Sequence, residues 1–274
     1  MESSKEEVRH LRANRLKIEI HPTRAAAGAA AAQAVADELR NLDRRLPNGP
    51  LGVVFATGAA QLETLRELTA MRGLPWSRIS GFHLDEYAGL PSEHPASFRR
   101  YLRENLTSRV KLEEFYEIDG TAPDLESFCR VYAERLRAAN PQLCLLGVGE
   151  NGHLAFNEPG AADFQDPLDV KVVDLDAVCR RQQVAEGWFS SLGEVPTRAI
   201  TVTIPALFRI PRLFATVPGS RKAEIVRRTL EEPISTACPA TLLRTHPDAT
   251  MYLDRDSAAE IDLASASGQA GAAG

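Results

Sequence analysis

The sequence predicts an α/β fold: an open, mostly parallel sheet with helices on both faces, in a Rossmann-like three-layer sandwich. Two observations carry this. Short apolar runs such as LGVVFA (51–56) and LCLLGV (143–148) lack the polar alternation of a one-faced sheet, as strands buried on both sides do. Segments with apolar residues at helical spacing separate these runs, the βαβ alternation of a parallel sheet. No internal repeat or Pro/Ser-rich linker divides the 274 residues. Residues 15–263 therefore read as a single α/β domain.

The elements follow in order. Residues 1–14 are polar with both charge signs, and Ser4 and Glu7 have capping-box spacing. They are expected to form a solvated arm or helix. The alternating LKIEI at 16–20 reads as a strand, and the Ala-rich 23–46 as a helix ending at Pro47. A strand is expected at 51–56 and a helix at 60–71, stopped by Gly73 and Pro75. Next come a strand at 79–84, a helix at 96–106, a short strand at 115–118, a helix at 125–139 and a buried strand at 143–148. The stretch 160–197 is polar, with a strand-like 170–173. Further strands are expected at 200–204, 213–217 and 251–253, and helices at 222–231 and 258–263. The small, polar 264–274 is expected to be disordered.

Composition excludes several classes. Lys plus Arg number 32 against 37 Asp plus Glu, a net charge of -5. A general nucleic-acid or anionic-membrane binder would show a basic excess. An anionic small substrate stays compatible, because a few local cations are enough. No apolar run approaches the ~20 residues that span a bilayer, and the first residues have no apolar signal-like core. Cys129, Cys144, Cys179 and Cys238 form no CxxC or Cys/His cluster, so neither a metal nor a disulfide framework is expected. A reducing cytoplasm is the simplest compartment.

In such sheets ligands bind beyond the carboxyl ends of strands, which directs attention to four segments. Thr57-Gly58-Ala59-Ala60 is a small-residue turn running into a helix, suited to an anion or to tight packing alone. Asp85-Glu86 ends an apolar strand; neighbouring strand residues face opposite sides, so only one of the two can face the pocket directly. A carboxylate there can serve as a general base or as a helix cap. The segment 147–160, GVGENGHLAFNEPG, is the densest polar cluster. Its glycines, Gly152 among them, permit close backbone approach, and His153 supplies an imidazole, the side-chain type suited to proton transfer at neutral pH. Asn151 and Glu158 are near enough in sequence to orient its ring, a recurring acid–base unit. Finally, Lys222 opens a helix, where a cation meets the dipole unfavourably unless an anion lies between them.

Together the four segments resemble the glucosamine-6-phosphate deaminase/isomerase family, most specifically LDEYAGLPSEHPASF (84–98) and GVGENGHLAFNEPG (147–160). The related 6-phosphogluconolactonases typically lack the Phe-Asn-Glu-Pro found here at 156–159. No P-loop or dinucleotide fingerprint competes. The resemblance implies that His153 opens the sugar ring while Glu158 and Asn151 hold its imidazole. Asp85 then moves the C2 proton to C1, and the ketose imine adds water and loses ammonia. Family members carry Asp or Asn at the place of Asn151. Thr57, Gly58, Ala59, Ala60, Glu86, Gly152 and Lys222 are implied as substrate or phosphate contacts. The partner is a small amino-sugar phosphate, and no metal or organic cofactor is required. The family forms homo-oligomers of differing size, which leaves self-association open.

Two departures bear on the phosphate. The family pattern TGxTP carries a hydroxyl where this chain has Ala60-Gln61, and the pattern ANxRFF carries an arginine where Gly187 stands beside Glu186. Losing a charge-assisted bond of ~1.5–3 kcal/mol weakens binding roughly ten- to a hundredfold. Arg180 and Arg181 are the nearest replacements in sequence; otherwise the C6 end of the substrate carries something else. No counterpart of the family's allosteric basic residues is found within 160–170, so no such control is expected. Two alternatives remain: a sugar-lactone hydrolase using His153 as base toward water, or a sugar sensor without turnover. The 15 leading residues are short for the helix-turn-helix that sensors of this fold carry.

Overall fold

The computed structural model describes residues 7–185 and 187–262. Ser4 of the expected capping box, Glu186 and the tail 264–274 lie outside the described residues. Eight strands form the main sheet: β1 (Arg9–Ala13), β2 (Leu16–His21), β3 (Leu51–Phe55), β4 (Ile79–His83), β6 (Glu114–Tyr116), β7 (Leu143–Leu146), β10 (Arg212–Thr216) and β11 (Ala249–Asp254). Their order is β1-β2-β11-β10-β7-β3-β4-β6. All pairs are parallel except the β1–β2 hairpin. Three further strands, β5 (Asp85–Tyr87), β8 (Val170–Asp174) and β9 (Arg198–Val202), make a separate antiparallel sheet in the order β5-β9-β8.

The period of two along each strand divides the apolar residues between the two faces. Val54, Cys144, Leu146, Leu213 and Ala215 join one core cluster; Val53, Phe55, Leu143, Leu145 and Phe214 join the other. The first face is covered by α4 (Leu125–Ala139), α6 (Ile204–Phe208) and α7 (Ala223–Glu231). The second is covered by α1 (Arg24–Arg45), α2 (Leu62–Ala70) and α3 (Phe98–Leu102). In α1 the buried stripe is mostly Ala, from Ala27 to Ala36, which brings the helix close to the sheet. Thr23 caps it, its side chain accepting from the Ala26 N–H at 3.2 Å.

Several expectations are corrected. Residues 9–13 are a strand, because Asn14, at φ +53°, turns the chain so that Arg9–Ala13 pairs with Leu16–Ile20. The apolar run at 200–204 splits: Arg198–Val202 belongs to the second sheet, and Ile204 begins α6. The polar stretch 160–197 contains α5 (Ala177–Ala185) and packs Leu175, Cys179, Phe189 and Val195 into a third core cluster with Tyr87 and Phe156. The helix expected at 96–106 is α-helical only through Leu102 and continues as a π turn, Arg103–Thr107. At 258–263 turns replace the expected helix through residue 260. Asp254 and Ser257 cap each other's backbone there, Ser257 N donating to Asp254 Oδ1 at 2.8 Å. The four cysteines are free and buried. Among the described residues, no helix is long and apolar enough to cross a membrane.

Candidate active site

The turns after β3, β7 and β10, together with Asp85 after β4, converge on one pocket of about 340 Å³. β7 lies between β3 and β10, so the pocket opens at the centre of the sheet, where ligands of open α/β folds bind. Thr57, Gly58, Ala59, Ala60, Asp85, His153 and Lys222 all line it.

His153 is held by its own loop. Its Nδ1 lies 2.8 Å from Asn151 Oδ1 and 3.0 Å from Glu158 Oε1. Asn151 Nδ2 in turn donates to Glu158 Oε2. These acceptors place the ring proton on Nδ1 and leave Nε2 as the basic nitrogen. Gly149 seats the other side of the ring: a Cβ there would lie 2.1 Å from His153 Cε1. The loop is anchored to β9, with Phe156 N donating to Thr201 Oγ1 at 3.1 Å and Asn157 Nδ2 to the Val202 carbonyl at 2.9 Å. Ala155 takes a left-handed conformation, φ +51°, a backbone cost concentrated close to His153.

Two carboxylates here stand in opposite environments. Glu158 is buried, which alone would raise its pKa, but the charge of His153 and hydrogen bonds from His153, Cys179 and Asn151 bring it down to about 2. Asp85 is pushed well above the usual carboxylate range, by burial first and by the neighbouring Glu86 charge second. It lines the pocket at 8% exposure. Glu158 is therefore held toward its charged form and Asp85 toward its neutral form, a separation typical of acid–base sites.

The site differs from expectation at several residues. Glu86 does not line the pocket; it is fully buried on the opposite side of β5 from Asp85 and caps α3. Its oxygens accept from the backbone N–H of Tyr87, Phe98 and Arg99 and from Ser97 Oγ, at 2.8–3.1 Å. Gly152 is likewise structural: a Cβ there would meet Cys238 Sγ at 2.7 Å. Asn151 and Glu158 stand behind His153 and do not line the pocket. Arg180 turns away, donating to the carbonyls of Leu192 and Val195. Arg24, Gln182, Gln183, Trp188 and Arg221 line the pocket without having been singled out. Arg24 offered the clue that marked Lys222, a cation in the first turn of a helix. The two glutamines carry no sequence signal.

Fold and site together define an α/β protein with an oriented-imidazole, two-carboxylate acid–base pocket at its switch point. Residues 22–252 match the family model described as glucosamine-6-phosphate isomerases/6-phosphogluconolactonase, and the chain belongs to this family. It is 37% identical over 234 residues to the glucosamine-6-phosphate deaminase of Pseudarthrobacter chlorophenolicus, covering 84% of this chain and 88% of that protein. The Bacillus thuringiensis (strain Al Hakam) protein of the same name is 37% identical, with 77% of each chain covered. Among solved structures, a monomeric glucosamine-6-phosphate deaminase superposes with a TM-score of 0.81 at 31% identity, covering 89% of this chain and 99% of that one. The 6-phosphogluconolactonase of Trypanosoma brucei, at 17% identity and a TM-score of 0.73 (89% and 98% covered), shares the fold.

Proposed function

We propose that this chain converts glucosamine 6-phosphate to fructose 6-phosphate and ammonia. The observation that carries the reading is the pairing of a pocket-lining Asp85 of raised pKa with a His153 oriented from behind by an ionised Glu158. His153, with Nε2 as its basic atom, takes the proton of the C1 hydroxyl and returns one to the ring oxygen, opening the ring. The fixed Glu158 anion stabilises the imidazolium formed between those transfers. Asp85, ionised, takes the C2 proton of the open-chain 2-amino aldehyde. Its raised pKa makes it the stronger base for that step, and the resulting acid holds the proton until C1 takes it. As C1 takes that proton, one proton passes from the 2-amino nitrogen to the C1 oxygen, which leaves a C1 hydroxyl and a C2 imine; water adds at C2 and ammonia leaves. Burial of Asp85 strengthens its basicity, and that link from packing to chemistry is the core of the reading.

The test is ammonia release with glucosamine 6-phosphate, glucosamine and 6-phosphogluconolactone offered in parallel. Ammonia together with fructose 6-phosphate is expected from the first, with a loss of 10²-fold or more in Asp85→Asn. Lactone turnover without ammonia would identify a hydrolase instead, and sugar binding without product a sensor. Four free buried thiols suit a reducing cytoplasm as its place of work. Light scattering on the purified chain reads whether it self-associates.

A further inference from the structure

β3 and β10 lead into two turns of the same construction. Gly58 (φ +91°, ψ 170°) and Gly219 (φ +95°, ψ 151°) each precede a three-residue 3-10 turn, and each turn runs into a nine-residue helix, α2 or α7. L residues rarely adopt that conformation, so the glycines are required. Both turns are tied from behind. Gln61 Nε2 donates to the Leu146 carbonyl at 3.0 Å, and the Asp254 carboxylate accepts from Gly219 N at 3.0 and 3.1 Å. Both turns line the pocket, on either side of β7.

Arg24 stands between them. Its Nη2 donates to the Ala59 carbonyl in the first turn. Its Nη1 lies 4.0 Å from the Cβ position of Gly219 in the second. Its Nε pairs with Glu63 at 2.7 Å, and the side chain remains 37% exposed and lines the pocket. The segment that carries an arginine in the family pattern supplies none to the pocket here. Gly187 has open space at its Cβ position, and Arg180 is engaged by backbone carbonyls. A guanidinium that reaches both turns from α1 occupies the place where an anion held by their N–H groups would need its counter-charge.

We propose that Arg24 is this chain's phosphate-gripping arginine, reaching the substrate from α1 in place of the one missing at Gly187 and acting with Lys222. The inference rests on the sugar-phosphate reading above. Arg24→Gln is expected to raise the KM for glucosamine 6-phosphate roughly ten- to a hundredfold with kcat within about threefold. By calorimetry, it should weaken inorganic phosphate binding by a similar factor. Glu63→Gln keeps an acceptor for Arg24 but removes the competing charge, and is expected to tighten phosphate severalfold. Phosphate affinity within twofold of wild type in both variants, with a lowered melting temperature in Arg24→Gln, would overturn the proposal and leave Arg24 a strut between α1 and α2. If Arg24→Gln does not fold, the Glu63→Gln titration decides alone. Absence of ammonia from the wild type would sink the reaction assigned above, while the phosphate titration would still judge Arg24.

Discussion

Gly149→Ala tests how His153 is seated. Gly149 has no positive φ, so the backbone accepts alanine. The new methyl, however, would lie 2.1 Å from Cε1 and 2.3 Å from both ring nitrogens of His153. Ordinary contact begins at 3.4 Å, so the ring or its loop must shift by about 1.3 Å. Nδ1 sits 2.8 Å from Asn151 Oδ1 and 3.0 Å from Glu158 Oε1, and a shift of that size can take it beyond hydrogen-bond reach of both. If the loop moves with the ring instead, Nε2 is displaced relative to Asp85. A misplacement near 1 Å can cost about 10²-fold, and full loss of the base 10²–10⁴-fold. We expect kcat for glucosamine 6-phosphate to fall in the range of 10²–10³-fold. The assay is ammonia release coupled to glutamate dehydrogenase, with thermal melting to show that the fold persists. Gly147→Ala is the matched control in the same loop: its Cβ would meet nothing closer than 3.7 Å, and a few-fold effect at most is expected. A kcat for Gly149→Ala within threefold of wild type would refute the seating of His153 against this glycine.

Three further variants separate chemistry from packing. In Asp85→Asn, turnover should collapse while melting temperature rises at pH 8. A carboxyl of raised pKa destabilises the fold once ionised, so the gap should close as pH falls toward 4 and wild type itself protonates. In Glu158→Gln the sign reverses. The lowered pKa, 4.5 to about 2, corresponds to roughly 3 kcal/mol of stability, present above pH 4.5 and lost as pH falls toward 2. Urea midpoints of the variant should therefore fall below wild type at pH 7 and converge with it in acid. Glu86→Ala should cost ~3–5 kcal/mol, because it strips the α3 cap and leaves the buried Arg99, 3.5 Å away, without this partner. The KM of any folded fraction should stay within about twofold; a large KM change would return Glu86 to the substrate.

The central strands were legible because burial on both faces writes itself as an apolar run. The same property hides which sheet a run joins, and Ile200–Val202 left the main sheet for that reason. β1 escaped because RHLR reads as solvated charge, although only Leu11 and Ala13 need to face the core. Helix α5 escaped because the four consecutive polar residues of AVCRRQQVA interrupt its apolar spacing, and its buried residues include Cys179 and the polar Gln183. At the site, the alternation of a strand allowed only one of two adjacent acids to face the pocket, and the structure places Asp85 there. What Glu86 does on the other side depends on α3, twelve residues on, whose N-terminus no local pattern joins to it. Arg24 shows the reverse case. The unfavourable dipole position that marked Lys222 marked Arg24 equally, but only the folded chain reveals that both cations line one pocket.

The two carboxylates explain why one small pocket can hold both a costly group and a stabilising one. Glu158 is given His153 and hydrogen bonds from its neighbours, so its charge is compensated and its burial favours the fold at neutral pH. Asp85 receives no such compensation: its two shifting influences, burial and Glu86, both act against its charge. The Glu86 influence exists because the adjacent carboxylate is locked in place as a helix cap: four hydrogen bonds favour its charge, although burial outweighs them and raises its pKa as well. A helix-capping acid next to Asp85 thus raises the basicity of Asp85 while standing outside the pocket lining. Glu86→Gln, which keeps two acceptors' worth of the cap but removes the charge, should move the acid limb of the kcat/KM profile to lower pH, because the ionised Asp85 loses its repelling neighbour. An acid limb that stays in place in a folded Glu86→Gln protein would show that burial alone sets the basicity of Asp85.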